Sequence, residues 1–151
     1  MIQPRTILCI DDACTFLQVF RTHFEDRGYR VLTASSGKEG LELLAAKRVD
    51  AVILDYQMPG MTSAAALQVS KRVSPGTLVV ILSGAATTVP QGARRAATTV
   101  LLKYKSMPRL MHSIEGFLED KLQKLDSAAE LTVGKQFGKV RREVPALRSG
   151  K

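Results

Sequence analysis

Five polar side chains stand where apolar runs stop. Asp11 and Asp12 end Ile7-Leu8-Cys9-Ile10, and Asp55 ends Ala51-Val52-Ile53-Leu54. Ser83 ends Leu78-Val79-Val80-Ile81-Leu82, and Lys103 ends Thr99-Val100-Leu101-Leu102. Three carboxylates in one crevice repel each other. At ~4 Å and an effective dielectric near 20, each pair costs on the order of 4 kcal/mol. Such a cluster takes up protons or holds a cation. Carboxylate oxygens with room for water suit Mg²⁺ better than Zn²⁺. Three Asp, one Lys and one Mg²⁺ sum to zero charge, and an incoming phosphoryl group would be neutralised by Lys103 and the metal. Asp55 is the candidate nucleophile, because a carboxylate attacks phosphorus to give an acyl phosphate. Asp11 and Asp12 are the candidate metal ligands, and Ser83 is a candidate donor to a phosphoryl oxygen. Taken singly, each is more often a solvated turn, cap or loop residue. Their shared place at strand ends is what points to chemistry.

The elements that must position them alternate. Strands are expected at 7–10, 30–34, 51–54, 78–82 and 99–102, short apolar runs of the kind buried on both faces of a sheet. Phe16, Leu17, Phe20 and Phe24 recur at helical spacing before Gly28. Ser36 is placed to cap a second helix with Glu39 as its capping-box partner and Leu41, Leu44 and Ala45 as its stripe. Thr62 precedes an Ala-rich helix running toward Val73. The segment from Thr87 to Arg95 is a poor helix, interrupted by Pro90 and Gly92. Ser106 opens a last helix whose apolar positions run through Leu110, Ile114, Phe117, Leu118, Leu122 and Leu125 to Ala129. Five such repeats with short connections predict an α/β fold, a doubly wound five-stranded parallel sheet with helices on both faces. Ligands of such sheets bind at the carboxyl ends of the strands. No G-x-G-x-x-G and no Walker lysine loop is present, which argues against nucleotide binding.

These residues together resemble a known family. Ile7 to Asp12, the stretch Leu54-Asp55-Tyr56-Gln57-Met58-Pro59-Gly60-Met61, the step Leu82-Ser83-Gly84 and Leu102-Lys103 are similar to the receiver domain of two-component response regulators, over about residues 4–125. The resemblance implies a CheY-like, flavodoxin-like fold. It implies that Asp55 is the phosphoacceptor and that Asp11, Asp12, Asp55 and the main-chain carbonyl of Gln57 hold Mg²⁺. Ser83 would be the switch hydroxyl and Lys103 the phosphoryl-binding cation. It implies a histidine kinase or histidine phosphotransfer protein as donor and a downstream protein as target. Three positions depart from the family's usual pattern. Ala13 follows the Asp pair in place of an acid, Val100 replaces the switch aromatic, and Tyr104 replaces the proline after the lysine. The chemical positions are intact, while the readout positions differ. The alternative is a degenerate receiver acting as a constitutive protein-interaction module. A phosphohydrolase would need an acid/base residue two past the nucleophile, where Gln57 stands, so turnover as an enzyme is not expected beyond slow loss of the chain's own phosphoryl group.

The 151 residues carry 22 Lys+Arg against 14 Asp+Glu, a net charge of +8. Residues 131–151 hold six bases and one acid, so most of the excess lies at the end of the chain. The expected division is a receiver domain over 1–125, its last helix extending to about 131, and a flexible basic tail over 131–151. That tail is too short for a DNA-binding output module, so a stand-alone receiver is expected. Phe137 is its one aromatic, which gives no stacking platform for nucleic acid. The last helix, or the face formed by the fourth helix, fifth strand and last helix, is a candidate homodimer surface. Two cysteines, Cys9 and Cys14, make no disulfide framework or zinc site, and with no apolar run of membrane-spanning length the expected place is the cytoplasm.

Overall fold

The computed structural model describes residues 3–60, 63–73, 76–84, 89–103 and 106–142. In chain order the elements are β1 (Thr6–Ile10), α1 (Cys14–Glu25), β2 (Arg30–Ala34), α2 (Gly37–Ala46), β3 (Ala51–Asp55), α3 (Ser63–Arg72), β4 (Leu78–Ser83), α4 (Gln91–Ala96), β5 (Thr99–Leu102) and α5 (Met107–Arg142). The five strands are parallel, in the order β2-β1-β3-β4-β5. The order reverses between β1 and β3, which opens a crevice beyond their carboxyl ends.

The strands form because their runs are apolar on both sides, and every residue of β1, β3 and β4 is buried. Alternate residues serve opposite faces. Leu8, Ile10, Val52, Leu54, Val79 and Ile81 share one cluster with Val69 of α3 and Ala93 of α4, against which Leu41, Leu43 and Leu44 of α2 pack. Ile7, Cys9, Ile53, Val80 and Leu82 point the other way and are equally buried, as are Phe16, Phe20 and Phe24 along α1. Leu110, Met111 and Ile114 are buried in the first turns of α5.

Local signals set the helix ends. Gly28 has φ 87°, and the Tyr29 N–H reaches back to the Phe24 carbonyl at 3.1 Å, which closes α1. Only a residue without Cβ takes that left-handed turn at no steric cost. Ser36 caps α2 by accepting the Glu39 N–H at 3.2 Å. The Glu39 carboxylate bonds the Ser35 N–H at 2.9 Å, one residue before the cap rather than at the cap itself. In α2 the buried residue is Gly40, and its leucines are only partly covered. A Cβ at Gly40 would stand 2.9 Å from Ile10 Cγ1 and nearer still to Cδ1, so the helix lies close to β1 because this residue is glycine.

Two expectations change. The fourth helix is shorter than 87–95 and begins after Pro90, whose fixed φ suits a helix start. The last helix does not stop near 125 or 131. It continues to Arg142, so residues 131–142, read from sequence as a flexible tail, are helical. High charge and a lack of large apolar groups report poor burial, not poor helicity. Leu, Ala, Glu and Lys, which dominate the preceding 115–131, are strong helix formers, and the helix they establish continues through Gly134 and Gly138 to Arg142. The chain divides into a compact unit ending at Ile114 and a second unit from Glu115 onward. Among the described residues, no helix is long and apolar enough to cross a membrane. Thr62 and Tyr104 lie outside the described residues.

Candidate phosphoacceptor site

The site is built at the carboxyl ends of three strands. Asp11 directly follows β1, and its N–H donates to the Ala34 carbonyl at 3.0 Å, continuing the ladder with β2. Asp55 is the last residue of β3 and is in register with Leu82. Lys103 follows β5, and its N–H donates to the Ser83 carbonyl at 2.9 Å. Neighbouring ladders therefore fix all three backbones, and only the lysine has a long side chain to place.

The Lys103 ammonium bridges the two buried carboxylates. Nζ lies 2.7 Å from Asp11 Oδ2 and 2.8 Å from Asp55 Oδ2. The second oxygen of each acid accepts a backbone N–H two residues on, Ala13 to Asp11 Oδ1 at 2.9 Å and Gln57 to Asp55 Oδ1 at 3.0 Å. Both acids are thus held at both oxygens while almost fully withdrawn from water, at 0% and 2% exposure. The Phe16 ring lies beneath the ammonium, 5.0 Å from centroid to Nζ. This contact is not apparent from sequence, where Phe16 reads as a core position of α1. Its one signal is that it falls at the start of the helix that follows Asp11 and Asp12.

Burial pushes the Asp11 carboxyl above its usual range, against the opposing pull of the Lys103 hydrogen bond and the Ala13 N–H. Burial alone would lower the Lys103 ammonium, but its hydrogen bonds to Asp11 and Asp55 outweigh that and raise it. The lysine is therefore charged across the physiological range. Burial, reinforced by Asp11, pushes the Cys9 thiol well up, so Cys9 is an inert core residue, while Cys14 is exposed.

The donor set fits a hard divalent cation. One carboxylate oxygen from each of Asp11, Asp12 and Asp55 lies within 4.8 Å of the others, Asp12 being the exposed member. Ligands across a Mg²⁺ ion are about 4.2 Å apart, and the ion keeps several waters, which the exposed side of the cluster admits. With one Lys against three Asp the pocket remains two charges negative, the sign that attracts such an ion. Ser83 is fully buried at the end of β4, in register with Leu102. Val100, on β5, is partly buried and packs against the cluster under α2–α4.

An acidic crevice at the switch of a doubly wound parallel sheet, with one lysine spanning two strand-end aspartates, is the arrangement expected of a receiver domain. Residues 7–115 match the response regulator receiver domain family, and the chain belongs to it. It is 36% identical over 81 residues to the transcriptional regulatory protein GlrR of Escherichia coli K12, which covers 54% of this chain and 18% of GlrR. The chain thus spans under a fifth of that relative's length. A CheY-like receiver domain protein from Methanospirillum hungatei has the same fold, with a TM-score of 0.68 at 22% identity over 80% of this chain and 98% of that one. TrrA of Thermotoga maritima, solved in complex with Mg²⁺-BeF, gives a TM-score of 0.63 at 23% identity over 74% of this chain and 97% of that one.

Proposed function

We propose that the chain is a response regulator receiver that accepts a phosphoryl group on Asp55 from a histidine kinase or a histidine phosphotransfer protein, and signals by protein–protein contact. The observation that carries this is the Lys103 ammonium held within 2.8 Å of both Asp11 and Asp55 at the carboxyl end of the sheet. In the transfer, an Asp55 oxygen forms a bond to phosphorus while the bond from phosphorus to the donor nitrogen breaks, and the leaving imidazole takes a proton. Lys103 stays protonated and turns from the bare carboxylate toward the incoming phosphoryl oxygens. Ser83, at the neighbouring strand end, would donate a hydrogen bond from its hydroxyl to one of them. Asp11, Asp12, Asp55 and the Gln57 carbonyl would hold Mg²⁺, which when bound neutralises phosphoryl charge and fixes its orientation.

In this reading the chain is not a turnover enzyme. Gln57 offers no carboxylate to activate water, so the acyl phosphate decays slowly. The two free cysteines fit a reducing compartment, the cytoplasm. The test is mass spectrometry after incubation with Mg²⁺ and a small-molecule phosphodonor. One added phosphoryl group is expected on the native chain and none on Asp55→Ala. No addition to the native chain refutes the reading.

A second reading rests on Val100. This residue packs into the core where the family's readout uses an aromatic, so output need not follow an aromatic's rotation. Under it, native chain and Asp55→Ala bind the downstream partner equally. Under the first reading, phosphorylation changes that affinity.

A further inference from the structure

From Gln123 to Lys135 every residue of α5 is exposed, and the helix continues to Arg142. Twenty residues from 123 to 142 make about 30 Å of helix. An isolated helix of that length is marginal in water, and Gly134 and Gly138 each weaken it by about 1 kcal/mol. Such a helix is held by an apolar face that something covers. Leu125 and Val133 are 40% and 48% exposed, and with Ala129 between them they form one stripe at four-residue steps. From Leu122 to Val133 is eleven residues, three turns, so the stripe runs nearly parallel to the helix axis. In the sequence, Phe137 and Val140 continue that spacing.

The two sides of the stripe differ in charge. Lys121 and Lys124 precede its apolar positions Leu122 and Leu125, whereas Asp126 and Glu130 follow Leu125 and Ala129. We infer that the carboxyl-terminal half of α5 pairs with the same segment of a second copy as a parallel two-helix coiled coil. In a parallel two-fold pair, the leading side of one stripe faces the trailing side of the other, which sets Lys121 of each copy beside Asp126 of the other. In an antiparallel pair each side meets its own kind, Lys against Lys and Asp against Asp, and the arrangement is penalised. The Lys124–Asp120 pair at 3.2 Å lies within one helix and leaves this pattern unchanged. The inference does not depend on the chemistry at Asp55.

The test uses the full chain in sedimentation equilibrium from about 1 µM to about 100 µM, a range that brackets a short coiled coil. A mass approaching two copies is expected. Leu125→Asp with Val133→Asp should return it to one copy with helical content near native at the lowest concentration. Lys121→Glu alone and Asp126→Lys alone each convert two attractive contacts to repulsive ones and should weaken self-association roughly tenfold. Mixing those two variants should restore association as a mixed pair, because one copy then carries acids on both sides of its stripe and the other carries bases, while the loss in each single variant is what marks the arrangement as parallel. One copy throughout the range, a mass of three copies, association that survives the Asp substitutions, or no gain on mixing would each overturn the inference.

Discussion

Replacing Lys103 with Met removes the one ammonium shared by two buried carboxylates while keeping a side chain of similar bulk. Side-chain exposure is 21% for Lys103, 1% for Asp11 and 3% for Asp55, so solvent screens these charges little. At 2.7 and 2.8 Å each attraction is on the order of 6 kcal/mol at an effective dielectric of 20, most of which offsets the desolvation of the charges. Without the cation, two buried acids with oxygens within 4.8 Å repel each other by a further ~3 kcal/mol. Breaking a buried ion pair from one side costs about 3–5 kcal/mol net. For a chain of this size, that lowers Tm by about 10–15 °C. The assay is a thermal melt in chelator, followed by circular dichroism. Adding Asp55→Asn to Lys103→Met removes one of the two stranded charges and should recover about half the loss. Adding Mg²⁺ should recover stability in Lys103→Met more than it raises the native chain, since the ion replaces a missing positive charge. A Lys103→Met melt within about 2 °C of native in chelator, or a double variant no more stable than the single one, would refute the charge argument.

Gly40→Ala should cost about 1–3 kcal/mol in urea denaturation, because its Cβ meets the Ile10 side chain, and Ile10→Val should return part of that. Ser36→Ala should lower stability by about 1 kcal/mol in the same assay, through the lost bond to the Glu39 N–H. Gly28→Ala forces a Cβ into a residue with φ 87° and should cost about 1 kcal/mol, with Gly28→Asn milder. In the native chain Mg²⁺ should raise Tm in proportion to the logarithm of its concentration, and Asp11→Asn with Asp12→Asn should abolish that dependence.

The sheet was legible because a buried parallel strand leaves a strong trace, an uninterrupted apolar run stopped by a polar residue. The limits of β2 and β5 match that trace. β3 and β4 extend one residue further, into Asp55 and Ser83, because a backbone ladder is indifferent to the polarity of the side chain it carries. The same rule brought Asp11, Asp55 and Lys103 to one point. What sequence did not convey was proximity that depends on absent atoms or on long side chains. Gly40 has no side chain to mark it as core, yet it is the buried residue of α2. Phe16 reads as core, yet its ring also faces the Lys103 ammonium. The reach of α5 is not legible because charge density reads as a sign of disorder, whereas helix formation is local and does not require burial along the whole length.

The anions and the cation of the site hang from strands of unequal tenure. Asp11 and Asp55 extend from β1 and β3, each paired on both sides, whereas Lys103 extends from β5, an edge strand bonded to β4 alone and only partly covered. Strands paired on one side open locally at lower free energy than central ones. Each unzipping of that edge would withdraw the counter-ion while leaving the acids in place. The lifetime of the closed edge would then set how long Lys103 stays on the two buried acids. Amide exchange should be faster at Leu101, Leu102 and Lys103 than anywhere in β1 or β3, and a partner that clamps this edge would lengthen the hold of lysine on whatever charge Asp55 carries.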